Sequence, residues 1–181
     1  MALNSMQEIF EKAASRSIPF WRVVLETDME ERQVTEEQSM EKMRAAWHAM
    51  LESVISYQGD QRSRSGLVGG DGAQMRRYAA ADTTYSGPYV QEVIATALSV
   101  GESNACMRKI VAAPTAGACG VLPAVLVPLY QMGRATEEEI LQALYTASGI
   151  GAVVSFRAVS PVLPAAVRRR SARLPLWRLA R

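Results

Sequence analysis

The 181 residues suffice for one ordinary folded unit, and a hydrophobic content of 49% gives that unit a core, which sets intrinsic disorder aside. The formal charge of +2 is local in origin: six arginines follow Ser160, and without residues 160–181 the chain holds 14 basic and 18 acidic residues, a net charge of −4. Such a body gives no basis for nucleic-acid binding, and two cysteines, Cys106 and Cys119, form neither a disulfide framework nor a zinc set.

The N-terminus lacks the basic-then-apolar order of an export signal, so a cytoplasmic location is expected. Ser5-Met6-Gln7-Glu8 has the spacing of a capping box and predicts a helix to about Arg16. Pro19 begins a new element, but the apolar residues between Ile18 and Val34 follow no clean period, and its type stays open. Thr35-Glu36-Glu37-Gln38 is a second capping box. Met40, Met43, Trp47, Met50, Leu51, Val54 and Ile55 follow it at spacings of three and four, predicting a helix with a core-facing stripe that Gly59 ends. His48, the single histidine, has no second ligand near it and reads as a border or surface residue.

Residues 61–72 form a glycine- and serine-rich loop, Gly87-Pro88 marks a boundary, and a helical stretch follows from about Tyr89 to Val100. Ile110 to Met132 carries no charge, which raises a membrane span by length alone; Pro114, Pro123 and Pro128 each remove a backbone donor and argue against it. Val121 to Tyr130 reads as a helix, Gly133 closes it, and Thr136-Glu137-Glu138-Glu139 is a third capping box. No convincing strand alternation occurs, so the expected class is mainly α.

Two glycine-rich segments invite a chemical reading. The corner Pro114-Thr115-Ala116-Gly117-Ala118-Cys119-Gly120 leads into a helix start, where backbone donors converge and small side chains let an anion approach; it reads equally as a tightly packed turn. Ser65-Gly66-Leu67-Val68-Gly69-Gly70-Asp71-Gly72 lacks a phosphate-loop lysine and suits either a close ligand or an exposed loop, with Asp71 capping a following helix.

The run Met107-Arg108-Lys109-Ile110-Val111-Ala112-Ala113-Pro114-Thr115-Ala116-Gly117-Ala118-Cys119-Gly120-Val121-Leu122-Pro123-Ala124-Val125-Leu126 resembles the signature of the iron-sulfur L-serine dehydratases. Ser65 to Asp71 and Glu102-Ser103-Asn104-Ala105 resemble further segments of that family. The likeness runs from near Met1 to about Ala158, roughly the first half of the family's α region, and implies a helical fragment of the serine dehydratase α domain over 1–158. It also implies β-elimination of water from L-serine to give pyruvate and ammonia, with a four-iron four-sulfur cluster as Lewis acid. A β subunit and a homo- or hetero-oligomer are implied as partners, with no nucleic acid and no membrane. Thr115, Ala116, Gly117 and Gly120 become the candidates for gripping the substrate carboxylate, joined by Ser65 and Asp71.

Beyond Ala158 the likeness stops. Val159 to Arg181 holds three prolines, six arginines, no glycine and no acid, as an out-of-frame reading would. The family's cluster cysteines belong to the segment that this tail replaces, and neither Cys106 nor Cys119 matches one, so the chain alone is expected to be inactive. Residues 159–181 are expected to be disordered; the alternative is a non-catalytic fragment or an interaction module with a basic tail.

Overall fold

The computed structural model describes residues 5–81, 85–113 and 115–157, apart from the side chains of Phe156 and Arg157. Pro114 and the arginine-rich tail lie outside the described residues. Helices α1 (Met6–Arg16), α2 (Phe20–Arg32), α3 (Glu36–Ile55), α4 (Asp71–Ala79), α5 (Pro88–Ala105), α6 (Val121–Gln131) and α7 (Glu137–Arg157), with a 3-10 turn at Ala116–Ala118, make the protein mainly α. No strand occurs among the described residues. None of their helices is long and apolar enough to cross a membrane.

Contacts divide the described residues into two compact units, one formed by residues 5–45 and 138–157, the other by those within 46–137. In the first unit, local chemistry starts the helices as expected. The Ser5 hydroxyl accepts from the Glu8 N–H at 3.1 Å. At Thr35 the box is reciprocal: Thr35 N–H donates to Gln38 Oε1 at 3.1 Å and Gln38 N–H to Thr35 Oγ1 at 3.3 Å. The segment left open between Ile18 and Val34 is helical. It buries the consecutive residues Val23, Val24 and Leu25, which no single stripe would do. Gly149 of α7 explains how: a Cβ there would stand 2.5 Å from Val24 Cγ2, so α2 is covered by close approach as well as by its inner stripe. Ile9, Ile140, Leu141 and Leu144 complete this core.

A buried polar relay crosses it. Ser39 donates to Asp28 Oδ2 at 2.6 Å and meets the Tyr145 hydroxyl at 2.7 Å, while Arg32 donates to the same Asp28 oxygen at 2.8 Å. Ser39 is the single link between a buried phenol and a carboxylate, and burial first of all pushes Tyr145 up to about 12.

In the second unit Met50, Val54, Val100, Val111 and Val127 are buried, as is Trp47, whose ring meets Tyr130 edge-on at 5.6 Å. Gly120 lets α6 start against α5, since a Cβ there would lie 2.9 Å from the Ala97 carbonyl oxygen. Three expectations need correction. Helix α3 ends at Ile55, before Gly59, because Tyr57 turns away to bond outside the helix; Gly59 instead passes α4, where a Cβ would meet that of Ala73 at 2.6 Å. Ile55 is 72% exposed and outside the core stripe. Helix α5 runs on to Ala105, and its Val90, Ile94 and Leu98 are exposed at every fourth position, as are Val121 and Val125 of α6. His48 is exposed, its Nε2 3.6 Å from Glu137 Oε1.

Replacing Ser39 by Ala removes the partner of the buried Tyr145 hydroxyl and leaves Asp28 with Arg32, and an unsatisfied buried group of this kind costs about 1–3 kcal/mol. Urea unfolding of S39A is expected to show a loss of that size with an unchanged denaturant slope; a loss within error would mean that the relay contributes nothing.

Candidate functional site

The glycine-rich loop closes on itself before it reaches α4. Ser63 N–H donates to the Val68 carbonyl at 2.8 Å, Gly66 N–H to the Ser63 carbonyl at 2.8 Å, and Val68 N–H to Ser63 Oγ at 3.1 Å. Ser65 is exposed, its hydroxyl 3.1 Å from that of Ser63. Gly69 needs to be glycine twice over: its φ is +137°, and a Cβ would sit 2.2 Å from the Gln61 carbonyl oxygen. Gly70, at φ +92°, is the N-cap of α4 and offers no side chain to the helix's first amides.

Glu102, near the end of α5, supplies what Gly70 lacks. Its side chain, 3% exposed, accepts through Oε1 from Asp71 N–H at 2.6 Å and Gly72 N–H at 3.1 Å. Its Oε2 accepts from the Tyr57 hydroxyl at 2.5 Å, and that hydroxyl oxygen accepts from Ala73 N–H at 3.1 Å. Three successive amides of α4 are thereby satisfied by side chains from elsewhere, with a carboxylate at the positive end of the helix. Burial, and then the Glu102 carboxylate, push Tyr57 up to about 12. Asp71 is accordingly the first residue of the helix rather than its cap, and its own side chain is exposed. Gly72 is small for the protein's sake: a Cβ would stand 2.6 Å from Ser99 Oγ and 3.0 Å from the Tyr57 hydroxyl.

The second corner is built differently. Thr115, Ala116 and Gly117 are exposed and Gly120 is half-buried. Ala118 N–H donates to the Thr115 carbonyl at 3.1 Å and Cys119 N–H to that of Ala116 at 3.3 Å, forming the 3-10 turn. Among the described residues a Cβ on Gly117 would meet nothing nearer than Thr115 Oγ1 at 3.9 Å, so none of them crowds this glycine. Cys119, 1% exposed, points its thiol at the Val100 carbonyl at 3.9 Å, and burial pushes that thiol up.

The two segments meet at one helix end. Glu102 holds Asp71 and Gly72, Ser103 Oγ accepts from Gln61 Nε2 at 3.3 Å, and Asn104 Nδ2 donates to the Ala116 carbonyl at 3.1 Å. Three consecutive residues thus grip the start of the glycine loop, its exit into α4 and the threonine corner. The candidates Ser65, Asp71, Thr115, Ala116, Gly117 and Gly120 all belong to the loops so held. Sequence reasoning did not single out Glu102 as a site residue; the available signal was its standing as the only charge between Glu92 and Arg108, followed by two polar residues. Among the described residues no group of three His, Cys, Asp or Glu side chains could hold a metal ion.

The model of the serine dehydratase alpha chain family matches residues 15–160. The chain is 29% identical over 152 residues to the probable L-serine dehydratase alpha chain of Bacillus subtilis, covering 84% of this chain and 51% of that one. It is 32% identical over 155 residues to the L-serine dehydratase alpha chain of Peptoniphilus asaccharolyticus, covering 84% and 53%. A shorter stretch of 63 residues, 34% of this chain and 14% of the other, is 41% identical to L-serine dehydratase TdcG of Escherichia coli. The chain therefore spans about half the length of the two alpha chains it matches. No solved structure matches it.

The raised pKa of Tyr57 gives the site a signature in alkali. A phenol held neutral in the fold contributes stability that is complete below the unfolded value near 10 and is lost as pH rises through about 12. The stability advantage of the wild type over Y57F is expected to shrink across that window, read by denaturant unfolding at stepped pH. An advantage that stayed constant to pH 12 would mean that the phenol titrates normally.

Proposed function

The chain belongs to the serine dehydratase alpha chain family, and on that premise we propose that it supplies the substrate-carboxylate grip of an L-serine ammonia-lyase. The overall reaction first eliminates water from L-serine, as the α proton and the β hydroxyl leave; the resulting enamine tautomerises to the imine, which takes up a water molecule to give pyruvate and release ammonia. The observation that carries the reading is the exposed corner at Thr115–Gly117, which has small side chains, an open-faced glycine and a hydroxyl at its entrance. It stands ahead of the start of α6 with no acidic residue between Ile110 and Met132, so nothing in that stretch repels an anion, and the helix dipole favours one. In this reading Thr115 donates its hydroxyl to the carboxylate, Ala116 and Gly117 keep the approach clear, Gly120 acts by letting α6 start close against Ala97 of α5, and Ser65 and Asp71 belong to the neighbouring loop.

The family resemblance brings a four-iron four-sulfur cluster with it, and the residues of this chain do not fit one. A cluster with one open iron takes three thiolates, whereas these 181 residues contain two cysteines, one of them buried against the Val100 carbonyl. No step is therefore assigned to the cluster. Its ligands, and the remaining catalytic groups, would come from polypeptide corresponding to the other half of the relatives' length. We further propose a β subunit as partner within a homo- or hetero-oligomer, and a cytoplasmic setting; the term "alpha chain" in the relatives' names supports the first.

Two measurements test this. The 181-residue chain, purified anaerobically, is expected to show no cluster absorbance in the visible and no serine-dependent pyruvate; either signal would overturn the account of the cysteines. L-Serine titrated into labelled chain is expected to shift the amide resonances of residues 115–118. Because a hydrogen bond to a charged group contributes about 1.5–3 kcal/mol, T115V should weaken that response about tenfold or more. An unchanged response in T115V would remove Thr115 from the site.

A further inference from the structure

We propose that Glu102, Ser103 and Asn104 act as positioning residues, a clamp at the end of α5 that fixes the glycine loop and the threonine corner in one arrangement; the inference rests on the carboxylate-grip reading and assigns residues that reading does not use.

Residues 61–70 are held internally by short bonds around Ser63, but two glycines at positive φ leave the segment's exit into α4 with a wide choice of directions. The threonine corner has a single 3-10 turn of its own, and such turns are weak. Neither is rigid by local chemistry. What restricts them comes from α5, an 18-residue helix whose inner side buries Gln91, Ala95, Thr96, Ser99, Val100, Glu102 and Ser103. That depth of burial makes its end a fixed reference.

The three bonds differ in character. The Glu102 carboxylate is buried, and each of its oxygens is occupied, Oε1 by two α4 amides and Oε2 by Tyr57. It has no donor left to find and so cannot swing to another partner without leaving three groups unpaired. The Gln61–Ser103 bond, at 3.3 Å, is the long one and steadies the loop's entrance. Among the described residues Asn104 is the one side chain that hydrogen-bonds the corner from α5, and it takes the Ala116 carbonyl rather than an amide. This choice matters: the 3-10 turn already spends the Ala118 and Cys119 amides, and a side chain that only donates to the corner's carbonyl takes none of the amides ahead of them, which have no backbone acceptor among the described residues. Because Glu102 and Asn104 are two residues apart on one rigid helix end, loosening the first bond set disturbs the reference from which the second reaches.

The test uses the full chain and two near-isosteric variants that avoid a cavity. Asn104→Asp cannot donate to Ala116, and Glu102→Gln keeps an acceptor for α4 but gives up the charge. Hydrogen exchange followed by mass spectrometry is expected to show faster exchange at residues 115–119 in N104D. In E102Q it should be faster both at 71–73 and at 115–119, although residue 102 touches nothing in the corner. L-Serine titrations followed at the 115–118 amides are expected to weaken about threefold to tenfold in each variant, the range for loss of one neutral hydrogen bond. Faster exchange in E102Q confined to 71–73, with an unaltered serine response, would overturn the clamp. If the wild type itself shows no serine response, the carboxylate-grip reading fails instead, and the reach of E102Q into residues 115–119 still decides whether the loops are coupled.

Discussion

The organisation of the second unit depends on one buried carboxylate. A helix that begins after two glycines has amide donors with no local acceptor, and burying them unpaired would cost about 1–3 kcal/mol each. Glu102 resolves this from a distance, taking Asp71 and Gly72 directly and Tyr57 beside them, while Tyr57 takes Ala73. Other features follow. Tyr57 is drawn out of α3, which ends that helix before its glycine; Gly72 has to be bare because Ser99 and Tyr57 occupy the space of its Cβ; Gly59 has to be bare because α4 starts so close. A single desolvated charge is matched by the amides it satisfies, so burial does not leave it uncompensated.

The first unit solves a similar problem with a hydroxyl set between a phenol and an ion pair. Ser39 carries a hydrogen-bond chain between Tyr145 and Asp28, and Arg32 balances the carboxylate. Arg22 pairs with both Glu26 and Glu36, and Glu26 and Glu36 are held below the ordinary carboxylate range chiefly by their arginine partners, Arg16 and Arg22 respectively. These outer pairs are solvent-exposed enough to add little stability, whereas the inner relay is buried and specific. In both units a polar network joins residues far apart in sequence, and apart from the i,i+4 pairs Arg22–Glu26 and Asp28–Arg32 these partnerships are not visible from spacing.

That contrast explains what could be read from the sequence. Helix starts at Ser5 and Thr35 were legible because a cap is a bond between neighbours. Helix α2 was not, because Val23, Val24 and Leu25 are all buried once Gly149 lets α7 close over them, and a helix covered on more than one side loses its period. The length of α5 was missed for the related reason that both its sides are apolar: Val90, Ile94 and Leu98 face outward while Ala95 and Val100 face in. At the site, glycine clusters announced tight backbone but not its neighbour. Gly72 is pressed against protein and Gly117 is open, a difference set by Ser99 and Tyr57 in one case and by their absence in the other.

A buried negative charge next to a proposed carboxylate grip raises an electrostatic objection. Two unit charges about 10 Å apart at an effective dielectric of about 20 repel by about 1.7 kcal/mol, enough to cancel a hydrogen bond. The arrangement answers it by direction. Glu102 turns its oxygens toward the α4 amides, whose helix places its positive end there, and the Arg76 guanidinium lies 5.4 Å over the Tyr57 ring, adding a cation on that side. What reaches the threonine corner from the same helix end is the neutral amide of Asn104, donating to a carbonyl. The charge is thus spent on building the scaffold and a neutral group reaches the corner, a division under which one helix end holds an anion of its own and leaves the proposed grip without a second carboxylate from that end.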